Sequence, residues 1–293
     1  MNGNGEADNT ETVELQEGTT SYDLTELQGG ENNEYWIQVS FENPDIEKTA
    51  EIQEINLRLG ESEIPESVGN PIHRWVFKEG SGSSVEDIIN DENGSIEGNT
   101  TWISDNTMAG GQALDSSSGE ESFVETTTLN DFGSNIQDGV SIIFTIENYT
   151  PSSTGHRLWG TANDYDGTVF ELNYHDTDPD QWRFYVGGEG NEESRYLAQL
   201  GIADGERHRV CLTNDGEGGG QAFVDGEPVP TSFVNTSDVS TVNFNGPFTI
   251  FGHNSTDGNP AQFSNFIVDD VILYLDVLEA EEIEEDFENQ PWS

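Results

Sequence analysis

Two segments of this chain combine carboxylates with aromatic rings. Residues 164–167 read Asp-Tyr-Asp-Gly, and residues 174–182 read Tyr-His-Asp-Thr-Asp-Pro-Asp-Gln-Trp. Proteins hold sugars by hydrogen bonds to Asp and Asn and by stacking of C–H faces on Tyr or Trp. The composition therefore predicts a glycan site, which a third loop at residues 252–262 would complete. The predicted ligand-contacting residues are Tyr165, Asp166, Tyr174, Asp176, Asp178, Trp182, Asn254 and Asp257.

An alternative interpretation of these loops comes from the overall charge. The 293 residues include 58 Asp and Glu against 9 Lys and Arg, which gives a formal net charge of -49. At molar salt the Debye length falls to about 3 Å, so the self-repulsion of such a surface is screened. The composition is typical of a halophile-type protein, in which Asp-rich loops are common without any ligand. A basic partner is a second explanation, whereas nucleic acid is disfavoured because no Lys or Arg cluster is present to contact phosphates.

Short alternating strands must position these loops. Residues 204–229 hold two β-rich runs joined by a glycine-rich connection, with a further tight turn at Asp225-Gly226, and predict an antiparallel meander. Within it, Cys211 is predicted to be a small core residue. His208 is predicted to be a hydrogen-bonded strand histidine, because Cys211 is assigned to the core and no other Ser or Cys stands out nearby as a catalytic partner.

The amino-terminal part has its own strand patterns, at residues 35–41 and 51–59. Strands so few and so short make a marginal core alone, and Pro and Gly between residues 60 and 71 are typical of a linker. We expect residues 1–68 to form a small β-rich docking or oligomerisation domain, and residues 69–293 to form a larger β domain. No apolar run is long enough to predict membrane insertion, and no secretion signal is expected.

Several segments of the larger domain resemble laminin G-like, concanavalin A-like lectin domains. The meander carries the order Asp-Gly, two residues, His-x-Val, and ends on Val-Asp-Gly, although Arg207 stands where relatives usually carry Trp. The other matching segments are the opening at residues 75–82, the strand at residues 141–147, the closing strand at residues 268–274 and a terminal helix. On that helix Ile283 and Phe287, four residues apart, are expected to face the sheet. The resemblance covers residues 73–288. It implies an all-β fold, a two-sheet antiparallel jelly-roll sandwich with ligands at the rim loops or on the concave face.

The same resemblance implies a structural calcium ion at the edge of the sandwich, between the opening loop and the closing strand. Calcium takes about six to eight oxygen ligands, often from Asp side chains and loop carbonyls. The matching positions are Asp87, Asn93, the carbonyl of Gly94, and Asp270. The alternative is that Asp87 caps a turn and Asp270 is solvated.

Three function classes fit this family. The expected one is a non-enzymatic lectin-like binding module on a halophilic virus particle (spike, turret or tail fibre) that recognises a host surface glycan or glycoprotein. It would be made in the host cytoplasm and reach the outside in the virion, as a homo-oligomer, for which we expect a trimer, among other virion proteins. The second is a decoration protein without a ligand.

The third class is a glycoside hydrolase or lyase of the same fold. Retaining hydrolases need two carboxylates about 5 to 5.5 Å apart, and enzymes on this fold carry alternating acids. Glu171 and Asp176 come nearest to that pattern and lack the middle acid. We therefore expect no enzymatic activity.

Overall fold

The computed structural model describes residues 67–104, 109–116, 122–128, 139–147, 157–161, 169–174, 181–187, 193–238, 247–251, 253–254, 260–261 and 266–290. All of them fall in one compact unit, Glu63–Ser293. The predicted amino-terminal domain lies outside the described residues and stays a prediction. Across the described ranges, no helix is long and apolar enough to cross a membrane.

The described elements are strands, apart from a 3-10 turn at Ala109–Gly111 and one α-helix, α1 (Ala280–Glu288). In chain order the strands are β1 (His73–Trp75), β2 (Ser84–Val85), β3 (Gly94–Glu97), β4 (Thr101–Ser104), β5 (Gln112–Asp115), β6 (Phe123–Thr128), β7 (Val140–Glu147), β8 (Arg157–Thr161), β9 (Val169–Tyr174), β10 (Gln181–Gly187), β11 (Glu193–Gln199), β12 (His208–Asn214), β13 (Ala222–Val224), β14 (Glu227–Val229), β15 (Thr231–Thr236), β16 (Pro247–Ile250), β17 (His253–Asn254), β18 (Pro260–Ala261) and β19 (Ile267–Tyr274).

Two antiparallel sheets make up the domain, with β17 and β18 as a separate pair. Sheet A has the order β14-β13-β12-β7-β19-β5-β4, with β1 also paired to β19. Sheet B has the order β15-β11-β10-β9-β8-β16-β6-β3-β2. The strand orders are non-sequential, as in a jelly roll, and confirm the predicted all-β class. The meander predicted at residues 204–229 is β12, β13 and β14.

The core lies between the two sheets, because alternate residues of each strand point inward. Sheet A contributes Ile142, Phe144 and Val210 to the main apolar cluster. Sheet B contributes Trp182 and Phe184 to the same cluster. This shared interior fixes which face of each strand remains for solvent or ligand.

The other face of sheet A is covered by the carboxyl-terminal segment. Cys211 lies in β12 opposite Ile143 of β7, which lies opposite Ile272 of β19. These three side chains form a second buried cluster with Leu278 and with Ile283 of α1. Both the core position of Cys211 and the packing of Ile283 on the sheet are therefore confirmed.

A buried ionic network lies under the same helix. Asp270 accepts hydrogen bonds from Arg74 Nε at 2.7 Å and Nη2 at 3.0 Å, and forms an ion pair with Arg209 Nη2 at 3.0 Å. Arg209 also donates to Asp286 of α1 through Nε at 2.7 Å, and to the Thr145 hydroxyl at 2.9 Å. All four charged side chains are buried. Burial alone lowers the pKa of Arg209, but the carboxylates of Asp286 and Asp270 outweigh it and raise that pKa.

A β-bulge in β19 brings Asp270 into this network. Asp269 pairs with Thr145, whereas Ile272 pairs with Ile143, so β19 carries one extra residue against β7. Asp270 takes a positive φ of 48° there. The neighbouring Asp269 accepts a hydrogen bond from the Ala109 backbone N–H at 2.6 Å. Burial, and then the charge of Asp270, raise the pKa of Asp269 well above its usual value, which favours its neutral form.

Arg209→Leu should lower the free energy of unfolding by about 3 to 5 kcal/mol, because it leaves Asp286 buried without its guanidinium partner. Lys78→Gln is the matched control: Lys78 pairs with Glu86 at 3.1 Å, but the two side chains are 37% and 54% exposed, so the expected loss is under about 1 kcal/mol. Equilibrium denaturation at fixed salt measures both. Equal stabilities of the two variants would contradict the structural role of the network.

Gly139→Ala should destabilise the domain more than Gly205→Ala. Both glycines have positive φ, 92° and 88°, so both substitutions carry a backbone cost of about 1 to 2 kcal/mol. A Cβ at Gly139 would also lie 2.3 Å from Val277 Cγ2 and 2.7 Å from the Asn214 carbonyl, whereas Gly205 has nothing within 4 Å. The extra cost of overpacking is about 1 to 3 kcal/mol, and thermal denaturation of the two variants compares them directly. Equal losses of stability in the two variants would contradict this prediction, because they would mean that the segment around Gly139 moves to accommodate the methyl group.

Candidate functional site

Strand β10 divides its side chains between the core and the outward face of sheet B. Trp182, Phe184 and Val186 are buried in the core. Arg183 and Tyr185 alternate with them and are partly exposed. The period of two along a strand therefore puts an arginine and a tyrosine on the outward side of the sheet.

Strand β11 repeats this division. Tyr196 and Ala198 are buried, whereas Arg195 and Leu197 are partly exposed and Gln199 is exposed. The outward side of the two strands, called the β10–β11 face below, consists of Gln181, Arg183, Tyr185, Arg195, Leu197 and Gln199.

The strand register shows which residues lie beside Tyr185, the aromatic residue of this face. Tyr185 lies directly opposite Arg195 of β11 and opposite Glu171 of β9. Directly opposed residues have Cβ atoms about 4.5 to 5.5 Å apart and share one side of the sheet. We call a set of residues that are opposite one another on neighbouring strands a row. In the next row of this face, Arg183 lies between Leu197 of β11 and Asn173 of β9.

Tyr185 lies across the glycine that ends its own strand. A Cβ built on Gly187 would be 2.8 Å from the Tyr185 hydroxyl oxygen and 2.9 Å from its Cζ. The missing side chain of Gly187 therefore makes room for the phenol, which covers the glycine as aromatic residues do in β-sheets. The arrangement offers one aromatic ring with guanidinium and amide donors beside it, which is the set of groups that a sugar needs: a ring to stack on and hydrogen bonds for its hydroxyls.

Comparison with known proteins supports this architecture. Residues 144–284 match the family model of the concanavalin A-like lectin/glucanase superfamily, of the laminin G type. The described domain thus has a concanavalin A-like fold. No curated protein sequence matches the chain.

Solved structures of the same architecture include toxin binding domains and an enzyme. The binding domain of Paraclostridial mosquitocidal protein 1 is 13% identical with a TM-score of 0.57, over 74% of this chain and 52% of that one. A structure of botulinum neurotoxin type C gives 15% identity and a TM-score of 0.56, over 74% and 50%. Trypanosoma rangeli sialidase gives 17% identity and a TM-score of 0.52, over 76% and 33%. This chain thus spans between a third and about half of these proteins, and at such identities the likeness concerns the fold alone.

Most of the predicted glycan-contacting residues fall where the structure gives no side-chain account. Tyr165, Asp166, Asp176, Asp178 and Asp257 lie outside the described residues. Tyr174 and Asn254 are placed in β9 and β17 by their backbones.

Trp182 corrects the sequence-based prediction, because its ring is fully buried in the core of the concanavalin A-like domain. The ring therefore cannot stack on a ligand at the rim. The residue that the prediction missed is Tyr185. Strict alternation along Gln-Trp-Arg-Phe-Tyr-Val puts Trp182 and Tyr185 on opposite faces, and this signal is present in the sequence.

The predicted calcium positions have protein partners instead. Asp87 accepts hydrogen bonds from His73 at 2.7 Å and from the backbone N–H groups of Arg74 and Ile89, both at 3.0 Å. Burial raises the pKa of Asp87, but these hydrogen bonds outweigh it and the pKa lies below its usual value. The Asn93 side chain accepts from the Asp87 backbone N–H at 2.8 Å. Asp87 therefore caps a turn, as the alternative interpretation expected.

Asp270 is also occupied, by Arg74 and Arg209, and is buried, so the prediction of a solvated Asp270 is wrong. Gly94 lies inside a ladder between β2 and β6, and a Cβ there would meet Val124 Cγ1 at 2.6 Å. The close approach of Val124 thus explains why position 94 is a glycine. Within the described ranges, no group of three or more His, Cys, Asp or Glu is arranged to hold a metal ion. The calcium ion stays a prediction that these four residues do not support.

His208 is a hydrogen-bonded strand histidine, as predicted. Its Nδ1 lies 2.8 Å from Asp225 Oδ2, and its Nε2 lies 3.1 Å from Asp204 Oδ1. The neighbouring Arg207 donates through Nε to Glu147 at 2.8 Å, which connects the start of β12 to the end of β7. The hydrogen bond to Asp225 is the main cause that raises the pKa of His208 above 6.5, with Asp204 adding to it.

This raised pKa makes the stability of the domain depend on pH. The stabilising contribution of protonated His208 is fully present below its unfolded pKa of about 6.5 and is lost as the pH rises through the higher folded pKa. His208→Gln should remove this decline, so that the melting temperatures of wild type and variant converge with rising pH. Thermal melts from about pH 5.5 to about pH 9 at constant salt measure the difference. A difference in melting temperature between wild type and variant that stays constant or widens with pH would contradict the stabilising role of protonated His208.

Proposed function

We propose that the concanavalin A-like domain is a non-enzymatic glycan-binding module whose ligand lies on the β10–β11 face. The observation that carries the proposal is the position of Tyr185 on the open side of sheet B, between Arg195 and the β9 strand. Its ring offers a stacking surface, and Arg183, Gln181 and Gln199 supply donors around it.

The solved structures of this fold support a binding role. One is a receptor-binding domain and others are toxin binding domains, and cell entry of botulinum neurotoxin type C depends on interaction with two ganglioside molecules. Another neurotoxin binding domain is in complex with rat synaptotagmin II. We infer by analogy of fold that a glycan or glycoprotein on a surface is the ligand of this chain.

The setting that we propose is the surface of a halophilic virus particle, in a homo-oligomer with other virion proteins, where the ligand is a host surface glycan or glycoprotein. The acidic composition, with a net charge of -49, motivates a high-salt environment. Detection of the chain in purified particles by mass spectrometry, with cleavage of its surface by protease added to the intact particle, is the expected result. Its absence from purified particles would contradict this setting.

Tyr185→Ala should weaken glycan binding by at least about ten-fold, because an aromatic anchor that becomes buried at a recognition site contributes about 2 kcal/mol or more. Phe233→Ala is the matched control: Phe233 is 45% exposed, but its ring contacts the inward-facing Tyr196. Gly187→Ala should also weaken binding, because the added methyl displaces the phenol of Tyr185. A glycan array and titration calorimetry measure the three variants.

Two outcomes would contradict the assignment of this face. One is wild-type affinity in Tyr185→Ala. The other is a larger loss in Phe233→Ala than in Tyr185→Ala. Failure of the wild-type chain to bind any glycan would instead favour a decoration protein without a ligand.

A further inference from the structure

We infer that the ligand of the β10–β11 face carries an anionic group, a carboxylate or a sulfate, which the arginines of the face bind. This inference rests on the proposed function and specifies the class of glycan. It follows from where the few basic residues of this chain are placed.

The chain has only nine Lys and Arg residues, and two of them, Lys48 and Arg58, lie outside the described residues. Four others form ion pairs within the fold: Arg74 with Asp270, Arg209 with Asp286 and Asp270, Arg207 with Glu147, and Lys78 with Glu86. Arg157, Arg183 and Arg195 all lie in sheet B, within the run of neighbouring strands β8, β9, β10 and β11. A third of the basic residues is thus concentrated in four strands.

These three residues occupy two neighbouring rows of the sheet. Arg157 pairs with Asn173, and Asn173 pairs with Arg183, so one row holds two arginine positions separated by one strand. Arg195 lies in the next row, opposite Tyr185. Rows two residues apart along a strand share one face. Arg183 and Arg195 are therefore direct neighbours of the tyrosine position, and Arg157 lies two strands away in the row of Arg183.

Arginine positions outnumber acidic ones at this place, although acids outnumber bases about six to one in the whole chain, 58 against 9. The register positions of β9, β10, β11 and β15 in the same two rows hold one acid, Glu171, and the adjoining row adds Glu193, opposite Gly187. The other partners are Asn173, Leu197, Ser232 and Asn235. A local excess of arginine positions in so acidic a protein requires an explanation beyond solubility, for which acidic side chains would serve better.

Guanidinium groups suit this purpose because they present planar pairs of N–H donors that match the two oxygens of a carboxylate or sulfate. The overall negative charge does not oppose such a contact at high salt. At about 1 M salt the Debye length is about 3 Å, so the distant acids are screened while a direct guanidinium contact persists. A neutral sugar would need only the hydrogen bonds and the ring.

The test is titration calorimetry of the full-length chain with three matched oligosaccharides: one containing glucuronic acid, the same one with its carboxylates reduced to alcohols, and a sulfated form of the reduced one. We expect the glucuronic or the sulfated form to bind at least about ten-fold more tightly than the neutral form, and the preferred form distinguishes carboxylate from sulfate. In Arg183→Gln and in Arg195→Gln this preference should fall to less than about three-fold. Lys78→Gln, an exposed lysine on another part of the domain, should keep it.

Comparable affinity for all three oligosaccharides, with loss in Tyr185→Ala, would overturn the anionic ligand and leave the glycan-binding function standing. A preference that persists in both arginine variants would also overturn it. Binding of none of them, with Tyr185→Ala indistinguishable from wild type, would overturn the glycan-binding function itself. Circular dichroism of each variant confirms that it is folded.

Discussion

One buried guanidinium connects the parts of this domain that are far apart in sequence. Arg209, on the first strand of the meander, binds Asp286 on the last helix and Asp270 on the last strand, and Asp270 in turn binds Arg74 on the first strand. Because the cost of burying these charges is offset only when all partners are in place, the network penalises any arrangement in which helix or strand is displaced. The network therefore favours one arrangement of the strands of sheet A and the helix.

Covering one face of sheet A leaves the opposite side of the sandwich for recognition. The helix and the ionic network occupy the outward side of sheet A, and the main core fills the space between the sheets. On sheet B the outward residues of β10 are partly exposed, and inward rings such as Trp182 and Phe184 hold β10 in place. A rigid strand is a better support for a binding residue than a loop, and Tyr185 stands on such a strand.

Sequence patterns predicted much of this fold because period-two alternation is a direct record of burial. The meander follows from such alternation, the closing strand from the family resemblance, and the packing of Ile283 from the helical spacing of four residues to Phe287. The bulge at Asp270 could not be predicted, because nothing local shows that β19 gains a residue against β7. Nor could the partners of Asp87 and Asp270 be predicted, since an acid in a β-rich segment serves a cation or an arginine equally well. The chemistry of Trp182 suits a sugar site, but the side of the strand on which it lies excludes it from one.

Recognition on the outward side of β10 and β11 is the central claim, and mapping of NMR chemical shifts on the full-length chain tests it most directly. The chain is titrated with the preferred oligosaccharide. The largest shifts should fall on the backbone amides of Arg183, Tyr185, Arg195 and Leu197, with the buried face of sheet A unchanged. Shifts confined to the loops at residues 162–168, 175–180 and 255–259 would contradict the claim and restore the rim as the binding site.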